Sequence, residues 1–441
     1  MTKSTYQPRR TALAVSLAIA AGVSLGALPS PALAGSRHAV AAVAASDLDA
    51  FYAARAGRPL WLAPGNPAAV AGVMDLFQTA SLDRIDSDAL RLGELRKAVS
   101  AAQGGDRGAQ VRAEALLSRA FVTYVGALRA VDPVATGWEI NDPELMPRAQ
   151  SASKMLSQAA SAPSLSAYVA QMGWMHPIYA ELRQALATAR RNGDGKQGQM
   201  LRANLQRARL LPGAGAGRYV IVNTASQRLE MYENGRVVDS MRVVVGKPEM
   251  PTPMMAAMIR YTALNPYWNL PTDLVTERVA PNVIKEGQSY LVKKGYVILS
   301  DWTDKASLIN PTSVDWNQVA AGKRDLRMRQ NPGAANAMGQ MKFMFPNPQG
   351  VYLHDTPQKA LLTEKSRLFS AGCVRLENAP KLARWLYGRT LSAKGMSAEQ
   401  RVDLDRPVPV YLAYLTAVPQ GSQIVYYNDV YNRDATALAL R

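Results

Sequence analysis

The sequence predicts an α+β protein in two parts, a helical first half and a β-rich second half. From about residue 41 to residue 192, alanine and leucine dominate and apolar residues recur at helical spacing. From Arg218 onward, apolar and polar residues alternate in short runs, and Asn234-Gly235 between two of them is a strong hairpin signal. A glycine-rich stretch at 213–217 separates the two patterns. A chain of 441 residues is long enough for two domains.

The first half is expected to form a helical domain over residues 41–200. Its clearest helix carries an apolar stripe that consists of Val111, Ala115, Leu116, Ala120, Phe121, Tyr124, Val125 and Leu128. Asp132-Pro133 ends this helix, and His176-Pro177 opens a later one, so His176 is assigned a structural role. A polar turn at 191–196 and an amphipathic helix over about 199–211 follow. This half shows no carboxylate cluster, metal-ligand spacing or candidate nucleophile.

The second half, residues 215–441, is expected to be a mostly antiparallel, β-sandwich-like domain. Strands are predicted at 218–223, 228–233, 236–245, 408–414 and 423–427. The glycine run at 213–217 superficially resembles a phosphate-binding loop, but it precedes a strand and lacks the following Lys-Ser/Thr, so we interpret it as a linker. Asn378 is the predicted N-cap of a helix from Ala379 to Tyr387.

Residues 1–34 have the composition of an export signal. Three basic residues precede an apolar run at 11–28, and Ala32-Leu-Ala34 is a small-residue cleavage site. Cleavage after Ala34 would leave 407 residues in the periplasm, and an uncleaved membrane anchor is the alternative. The chain has one cysteine, which can form no internal disulfide in an oxidising compartment. Such an odd thiol is either intermolecular or reactive.

Two residues of the second half, His354 and Cys373, suggest a specific chemistry. Cys373 is the single cysteine, and His354 is one of three histidines. A thiolate is a strong acyl acceptor, and an imidazole within hydrogen-bond reach takes the thiol proton and later acts as a general acid. Gly372 permits close backbone approach, and the N–H groups of Gly372 and Cys373 are candidates to face a developing oxyanion. The structural alternative is a buried thiol and a hydrogen-bonded histidine without chemistry.

His354-Asp-Thr356 together with Ser370-Ala-Gly-Cys373-Val-Arg375 resembles the active-site signature of the YkuD-type L,D-transpeptidases. Further segments are similar to the large YcbB-like branch of that family, namely Val245-Gly-Lys-Pro248, Thr252-Pro253, Asn265-Pro-Tyr-Trp-Asn-Leu-Pro271 and Lys342-Phe-Met-Phe-Pro-Asn347. Phe51 with Pro59-Leu-Trp61 resembles the start of the scaffold domain that precedes such catalytic domains. The similarity runs from about Leu201 to the C-terminus and, more weakly, through the first half.

The resemblance implies an L,D-transpeptidase catalytic domain behind a scaffold domain, with an inserted lid, or capping subdomain, at about 269–336. It implies a cysteine acyltransferase that needs no cofactor and no metal. The Cys373 thiolate would attack the third-residue carbonyl of a peptidoglycan tetrapeptide stem, with His354 as general base and acid, and release D-Ala. An acceptor amine of a neighbouring stem would then take the acyl group and form a 3-3 cross-link.

The same resemblance suggests supporting roles around the pair. Ser370 and Gly372 are expected to shape the nucleophile loop and the oxyanion site, and Arg375 orders that loop or neutralises a stem carboxylate. Candidate pocket residues are Tyr352, Tyr267 and Trp268. Asp355 stands where many family members have glycine, and adjacent strand residues point to opposite faces, so we do not include it in a catalytic triad. A backbone carbonyl is expected to orient the imidazole instead.

The charge of the chain favours an anionic partner. The formal charge is +17, or +14 without the three basic residues of the export signal. This suits the carboxylates of peptidoglycan stem peptides, other anionic polymers or anionic lipid. Export argues against nucleic acid, and the sequence has no zinc-finger spacing or aromatic-basic RNA motif. By resemblance, carbapenem-type inhibitors are expected to acylate the same cysteine.

Three alternatives stay open at this point. The thioester can pass to water, which gives an L,D-carboxypeptidase or amidase, or to a lysine amine on an outer-membrane protein. A non-catalytic wall-binding protein is the third, and the intact His354/Cys373 signature argues against it. Residue types do not separate water from an amine as acceptor, because that choice depends on how well a lid excludes water.

Overall fold

The structure, a computed structural model, describes residues 45–439, so the export signal expected at 1–34 lies outside the described residues. The first half is helical, as predicted. Its elements are α1 Ala45–Ala54, α2 Pro67–Gln78, α3 Leu92–Ala102, α4 Arg107–Arg129, the short strand β1 Glu139–Ile140, α5 Ala152–Ala160, α6 Leu165–Ala170, α7 Ile178–Arg191 and α8 Gly195–Ala208. Within residues 45–439, no helix combines the length and the apolar composition that a bilayer crossing requires.

Capping side chains set where these helices begin. Asp106 accepts a hydrogen bond from the Ala109 N–H at 2.7 Å at the start of α4. Asp194 accepts one from the Gln197 N–H at 2.9 Å, and α8 therefore begins at Gly195. This corrects the sequence prediction, which placed the helix at about 199–211 because it extended the polar turn to residue 196.

A buried carboxylate holds the Pro59-Leu-Trp61 segment against α4. Glu114 of α4 accepts hydrogen bonds from the backbone N–H groups of Leu60, Trp61 and Leu62, the shortest at 2.6 Å, and from the Tyr52 hydroxyl at 2.7 Å. Trp61 is fully buried. A buried charge is stabilised by several donors of this kind. The segment that resembles a scaffold domain is thus a structural anchor of the helical half.

The second half is β-rich, and its strands carry most of the architecture. They are β2 Arg218–Asn223, β3 Arg228–Glu233, β4 Arg236–Gly246, β5 Met255–Leu264, β6 Trp268–Asn269, β7 Tyr296–Leu299, β8 Leu308–Ile309, β9 Arg327–Gln330, β10 Met341–Met344, β11 Leu353–His354, β12 Leu368–Ser370, β13 Val374–Leu376, β14 Gln400–Ala413, β15 Ala417–Gln420 and β16 Gln423–Tyr426. The predicted strand at 408–414 is the second part of β14, which begins eight residues earlier.

Eight of these strands pair in a continuous ring. The hydrogen-bonded order is β5-β10-β11-β13-β4-β3-β2-β14, and β14 pairs with β5 to close it. Most neighbours are antiparallel, but β11–β13 and β14–β2 are parallel. Strands β1 and β12 add to the outside of the ring, on β5 and β4. The mostly antiparallel pairing agrees with the prediction. The closed strand order differs from the two separate sheets of a β-sandwich.

Alternation along the strands divides the apolar side chains between two cores. In β2, Val220 and Val222 belong to the ring interior, whereas Tyr219 and Ile221 pack with the helical half. Strand β14 follows the same rule, with Leu412 inside and Tyr411 outside. The core of the helical half therefore extends onto the outer face of the ring, and the two halves are joined by a common apolar cluster.

A small subdomain interrupts the ring between β5 and β10. It contains the four-stranded sheet β6-β9-β7-β8 and the helices α9 Thr272–Leu274, α10 Ala280–Glu286, α11 Ser289–Lys294 and α12 Trp316–Ala320. A π-helical turn, Val275–Val279, links α9 to α10. Its apolar core is separate from the other two and includes Leu270, Val283 and Met328.

Two helices follow β13, one directly after it and one after β16. Helix α13 Ala379–Tyr387 begins where predicted, because the Asn378 side chain accepts a hydrogen bond from the Lys381 N–H at 2.9 Å. Helix α14 is Arg433–Ala439. It contacts α8 of the helical half, so the last described element lies between the two parts of the molecule.

Candidate active site

Two neighbouring parallel strands bring His354 and Cys373 together. In β11 and β13, Leu353 is the partner of Val374 and His354 the partner of Arg375, which places Tyr352 level with Cys373. Leu353 and Val374 are fully buried in the ring interior. Because successive side chains alternate, Tyr352, His354, Cys373 and Arg375 share the opposite face. The register thus gathers four of the predicted site residues into one patch.

His354 is held in one tautomer by a backbone carbonyl. The residue is 2 % exposed, and its Nδ1 lies 2.5 Å from the Asp355 carbonyl oxygen. A carbonyl only accepts, so Nδ1 carries the proton and Nε2 has a free lone pair. Burial, and next the charge of Arg375, lower the pKa of His354 to about 3. The imidazole is therefore neutral at physiological pH and able to accept a proton.

Cys373 rests as a thiol. It is partly exposed, and its Sγ–H points to the Gly350 carbonyl oxygen at 3.7 Å. Burial raises the pKa of the thiol above its ordinary value, whereas the Tyr352 backbone and the charges of Arg375 and Lys342 oppose this shift. At neutral pH the side chain is consequently a thiol and not a thiolate.

The nucleophile loop, residues 370–373, is stabilised by hydrogen bonds of the Ser370 side chain. The Ser370 hydroxyl donates to the Cys373 carbonyl oxygen at 2.5 Å and accepts from the Gly372 N–H at 3.2 Å. Gly372 has φ +107°, a conformation that favours glycine. The Gly372 N–H is therefore bonded to Ser370 in this loop. The oxyanion role of the Gly372 and Cys373 N–H groups stays a prediction.

Thr252 supports the loop from beneath. Its hydroxyl donates to the Gly372 carbonyl oxygen at 2.7 Å and accepts from the Gly246 N–H at 2.9 Å. Thr252 is fully buried. A Cβ at Gly246 would lie 2.3 Å from the Met250 carbonyl oxygen, so this close packing requires glycine. One hydroxyl thus fixes the end of β4 to the residue before the nucleophile.

Residues 429–434, here called the C-terminal strap, continue this network into the helical half. The Tyr431 hydroxyl donates to the Gly246 carbonyl oxygen at 2.6 Å, and Arg433 donates to the Thr252 carbonyl oxygen at 3.1 Å. Asp434 accepts from Arg207 of α8 at 2.6 Å. The strap therefore connects the support of the nucleophile loop to the scaffold helices.

A row of cationic side chains crosses the same face of the ring. Lys342 on β10 is the direct partner of His354, which is the partner of Arg375. The Lys342 Nζ lies 5.3 Å from the centre of the Tyr352 ring and 3.5 Å from Glu399 Oε1. Arg375 donates to Gln358 Oε1 at 2.6 Å. Burial, and then the charge of Arg278, lower the pKa of Arg375, so the small subdomain brings a third cation near this row.

Tyr267 and Trp268 lie at the junction with the small subdomain. The Arg329 guanidinium stacks 3.9 Å from the centre of the Tyr267 ring. Trp268 belongs to β6 and packs against the subdomain core. Of the three predicted pocket residues, Tyr352 is the one on the face that carries His354 and Cys373.

Sequence reasoning gave no role to Lys342, Thr252 or Arg278. The first two belong to segments that carry the family resemblance, but their functions depend on strand register and on packing across the loop. Arg278 approaches through the subdomain. Among residues 45–439, no three His, Cys, Asp or Glu side chains cluster as a metal site requires.

Part of each half of the chain matches the model of a known protein family. Residues 217–410 match the model of the YkuD family, described as an L,D-transpeptidase catalytic domain, and residues 46–186 match the model described as a Scaffold domain. A Haemophilus influenzae protein named "Putative L,D-transpeptidase" is 33 % identical over 243 residues, which are 54 % of this chain and 48 % of the relative. The chain thus spans about half the length of this curated relative.

Two solved L,D-transpeptidase structures show a weak similarity to this chain. An L,D-transpeptidase from Mycobacterium smegmatis is 16 % identical, with a TM-score of 0.22, over 45 % of this chain and 59 % of its own. An LD transpeptidase in complex with imipenem is 12 % identical, with a TM-score of 0.22 and the same coverage.

Proposed function

We propose that this chain is a peptidoglycan L,D-transpeptidase of the YkuD family, because residues 217–410 match the model of the L,D-transpeptidase catalytic domain and residues 46–186 match the Scaffold domain. The observation that carries the proposal is the register of β11 and β13. It puts the single thiol and a carbonyl-oriented imidazole on one face of adjacent strands. The strap supports the loop that carries Cys373, and the small subdomain lies beside the same site.

The first half-reaction breaks an amide and forms a thioester. The donor is a tetrapeptide stem that ends in D-Ala. As Cys373 Sγ attacks the third-residue carbonyl, His354 Nε2 takes the thiol proton. The tetrahedral intermediate collapses, the amide C–N bond breaks, and the same proton passes to the leaving amine of D-Ala. The neutral resting states of thiol and imidazole suit this transfer, because no separated charges have to be neutralised first.

The second half-reaction returns the acyl group to nitrogen. A side-chain amine of a neighbouring stem attacks the thioester, His354 accepts the amine proton, and the thiol leaves reprotonated. The product is a 3-3 cross-link. No nucleotide is consumed, because one amide is exchanged for another and the cleaved bond supplies the energy.

The cationic row supplies a reason for an acidic substrate. Lys342 and Arg375 flank His354, and Arg278 approaches from the subdomain. Stem peptides carry carboxylates at the diaminopimelate side chain and at the terminal D-Ala. Arginine binds a carboxylate through two parallel hydrogen bonds, and lysine attracts it as a point charge. The row therefore favours binding of the donor stem with its scissile carbonyl near Cys373.

The small subdomain is assigned the role of a lid. It is inserted between β5 and β10, next to the strands that bear the site, and has an apolar core of its own. Closure over a bound donor would exclude water, which favours transfer of the thioester to an amine. We place the reaction in the periplasm, in accord with the expected export signal and the excess of basic residues.

Mass spectrometry tests the proposal. The full chain is incubated with a disaccharide-tetrapeptide, with Cys373→Ala as the control. We expect a cross-linked dimer that lacks one D-Ala, and no reaction in the control. A tripeptide monomer alone would replace the transpeptidase with an L,D-carboxypeptidase. No product with either protein would overturn the proposed donor.

Carbapenem labelling gives an independent measure of the same nucleophile. We expect the mass of the full chain to increase by one imipenem, with the adduct on the peptide that contains Cys373. An adduct on any other residue, or none, would contradict the assignment of Cys373 as an acyl acceptor.

A further inference from the structure

A cleft on the helical half lies outside the machinery described above. Its volume is about 870 Å³. It is lined by α5, by α6 with the loop that follows it, and by the linker at 213–216. Ligand pockets in proteins are commonly of this size. The linker is the glycine-rich stretch that the sequence analysis distinguished from a phosphate loop, and its small side chains leave room for the cleft.

The lining is polar and positively charged. On α5, Lys154, Ser157 and Gln158 are three and four residues apart and so share one helical face, and Ser161 continues that face one turn later. Arg129 of α4 is a second cation. The lining residues include no aspartate or glutamate. Such a surface offers hydroxyl, amide and cationic groups to a ligand that is rich in hydroxyls and negatively charged.

An aromatic wall completes the cleft. Tyr168 and Trp174 meet edge to face, with their ring centres 5.6 Å apart. A Cβ at Gly173 would lie 2.4 Å from the Tyr168 ring, and Met172 has φ +47°. Met172 therefore has a backbone conformation that non-glycine residues rarely adopt. This conformation positions the aromatic wall. Trp174 is 7 % exposed, and its indole N–H has no acceptor among the described residues.

We propose that this cleft binds a glycan strand of peptidoglycan, an amino-sugar polymer that carries carboxylates. The half-buried Tyr168 ring would contact the apolar face of a sugar ring, Lys154 and Arg129 would pair with carboxylates, and the serine and glutamine side chains would bind hydroxyl and acetamido groups. The identity of the polymer rests on the proposed function. The ligand class, an anionic glycan, rests on the lining of the cleft.

The test measures binding without catalysis. The full chain with Cys373→Ala is titrated with a peptide-free tetrasaccharide of alternating N-acetylglucosamine and N-acetylmuramic acid, and binding is followed by calorimetry. Because the probe has no stem peptide, its binding is independent of the transpeptidase reaction. A neutral N-acetylglucosamine tetrasaccharide serves as the uncharged comparison.

Two variants address the cleft, and one serves as control. Lys154→Glu reverses a charge at an exposed position, and Ala167→Trp fills the cleft from α6 without a change of charge. Lys97→Glu makes the same charge change on α3, outside the cleft. We expect the first two to raise the Kd of the acidic tetrasaccharide at least about tenfold and the control to leave it unchanged, since charge-assisted pairs and steric fit dominate such sites.

The outcomes separate this proposal from the proposed function. No binding, or binding that both cleft variants leave unaltered, overturns the cleft as a glycan site. Equal affinity for the neutral tetrasaccharide overturns the anionic assignment. If the glycan binds as expected while the disaccharide-tetrapeptide is not processed, the cleft assignment holds and the transpeptidase fails. The variants are expected to retain the wild-type rate on the soluble donor when placed in the chain with Cys373 intact.

Discussion

Asp355 has two separate functions at the residue scale. Its carbonyl orients His354, while its carboxylate pairs with Lys359 at 2.7 Å and accepts from the Gln340 N–H at 3.0 Å. The contact that orients His354 therefore belongs to the main chain, which supports the exclusion of the Asp355 carboxylate from a triad.

Replacement of Asp355 tests this division. Asp355→Ala retains the carbonyl, so we expect kcat within about threefold of the wild type and only a small loss of stability, because partly exposed ion pairs contribute little. Steady-state D-Ala release and thermal melting measure the two quantities. A drop in kcat of about a hundredfold or more in a folded variant would instead assign the carboxylate to the catalytic machinery.

The pKa directions at the site predict how the thiol reacts. Burial raises the pKa of Cys373 above the ordinary value of 9.0, and the pKa of His354 is lowered to about 3. Iodoacetamide reacts with the thiolate, so its rate with the free enzyme should rise with pH through a midpoint above 9.0 and show no step near 6.5. A plateau of high reactivity between pH 5 and 8 would mean that the resting state is a thiolate–imidazolium pair, contrary to this expectation.

Replacement of Lys342 should shift the pH dependence of Cys373 alkylation. Its positive charge lowers the pKa of the thiol, so Lys342→Met should raise the midpoint further and slow alkylation at pH 8 roughly two- to threefold. Lys365→Met, at an exposed position, is the matched control. Equal profiles for the two variants would show that Lys342 does not act on Cys373.

At the scale of elements, the nucleophile loop depends on support from outside itself. Thr252 joins the Gly372 carbonyl to the end of β4, and the C-terminal strap donates hydrogen bonds to the carbonyl oxygens of Gly246 and Thr252. The position of Cys373 relative to His354 is therefore set by three segments that are distant in sequence. Small displacements of a nucleophile reduce the rate more than they reduce binding.

Thr252→Val removes this support while it preserves the shape of the side chain. We expect kcat to fall roughly tenfold with little change in KM, and the free energy of unfolding to fall by about 1–3 kcal/mol because buried partners lose a hydrogen bond. Thr252→Ser should restore most of kcat. The assays are D-Ala release and urea denaturation, and a wild-type kcat for the valine variant would remove Thr252 from the positioning network.

Local sequence patterns predicted most of the helices and strands but not how the strands pair over long range. The hairpin of β3 and β4, the helix α13 and the N-cap at Asn378 follow from short-range signals that the structure retains. The parallel pairing of β11 with β13 could not be predicted, because both strands are too short to carry a period. The closure of β14 on β5 is likewise a long-range event. Cys373 and His354 were found through their motif, whereas Lys342 needed the register. The sandwich-like arrangement stays a prediction.

At the scale of the whole molecule, one apolar cluster joins the helical half to the outer face of the ring. In the helical half, Asp83 is fully buried and pairs with Arg183 at 2.8 Å. It also accepts from the hydroxyls of Tyr124 at 2.7 Å and Tyr179 at 3.0 Å. A shared core of this kind makes the two halves dependent on each other for stability.

Loss of the buried carboxylate should therefore destabilise the whole chain. Asp83→Ala leaves the Arg183 charge buried and unpaired, and we expect a loss of about 3–5 kcal/mol. Urea unfolding followed by circular dichroism should show one transition for both halves. Asp49→Ala, on the exposed side of α1, is the control. A loss below about 1 kcal/mol would mean that solvent reaches the arginine.

The closed ring has a consequence for how a peptide can be recognised. A sheet with free edges binds extended peptides by adding them as a further strand, and the same edges recruit other copies and cause aggregation. Here the two edge strands of the ring, β14 and β5, pair with each other. The strands on its outside, β1 and β12, are only two and three residues long. The donor peptide of the proposed reaction would then be recognised through side chains on the outer face of the ring and through the small subdomain beside it. The same closure protects the ring from edge-to-edge pairing with other proteins.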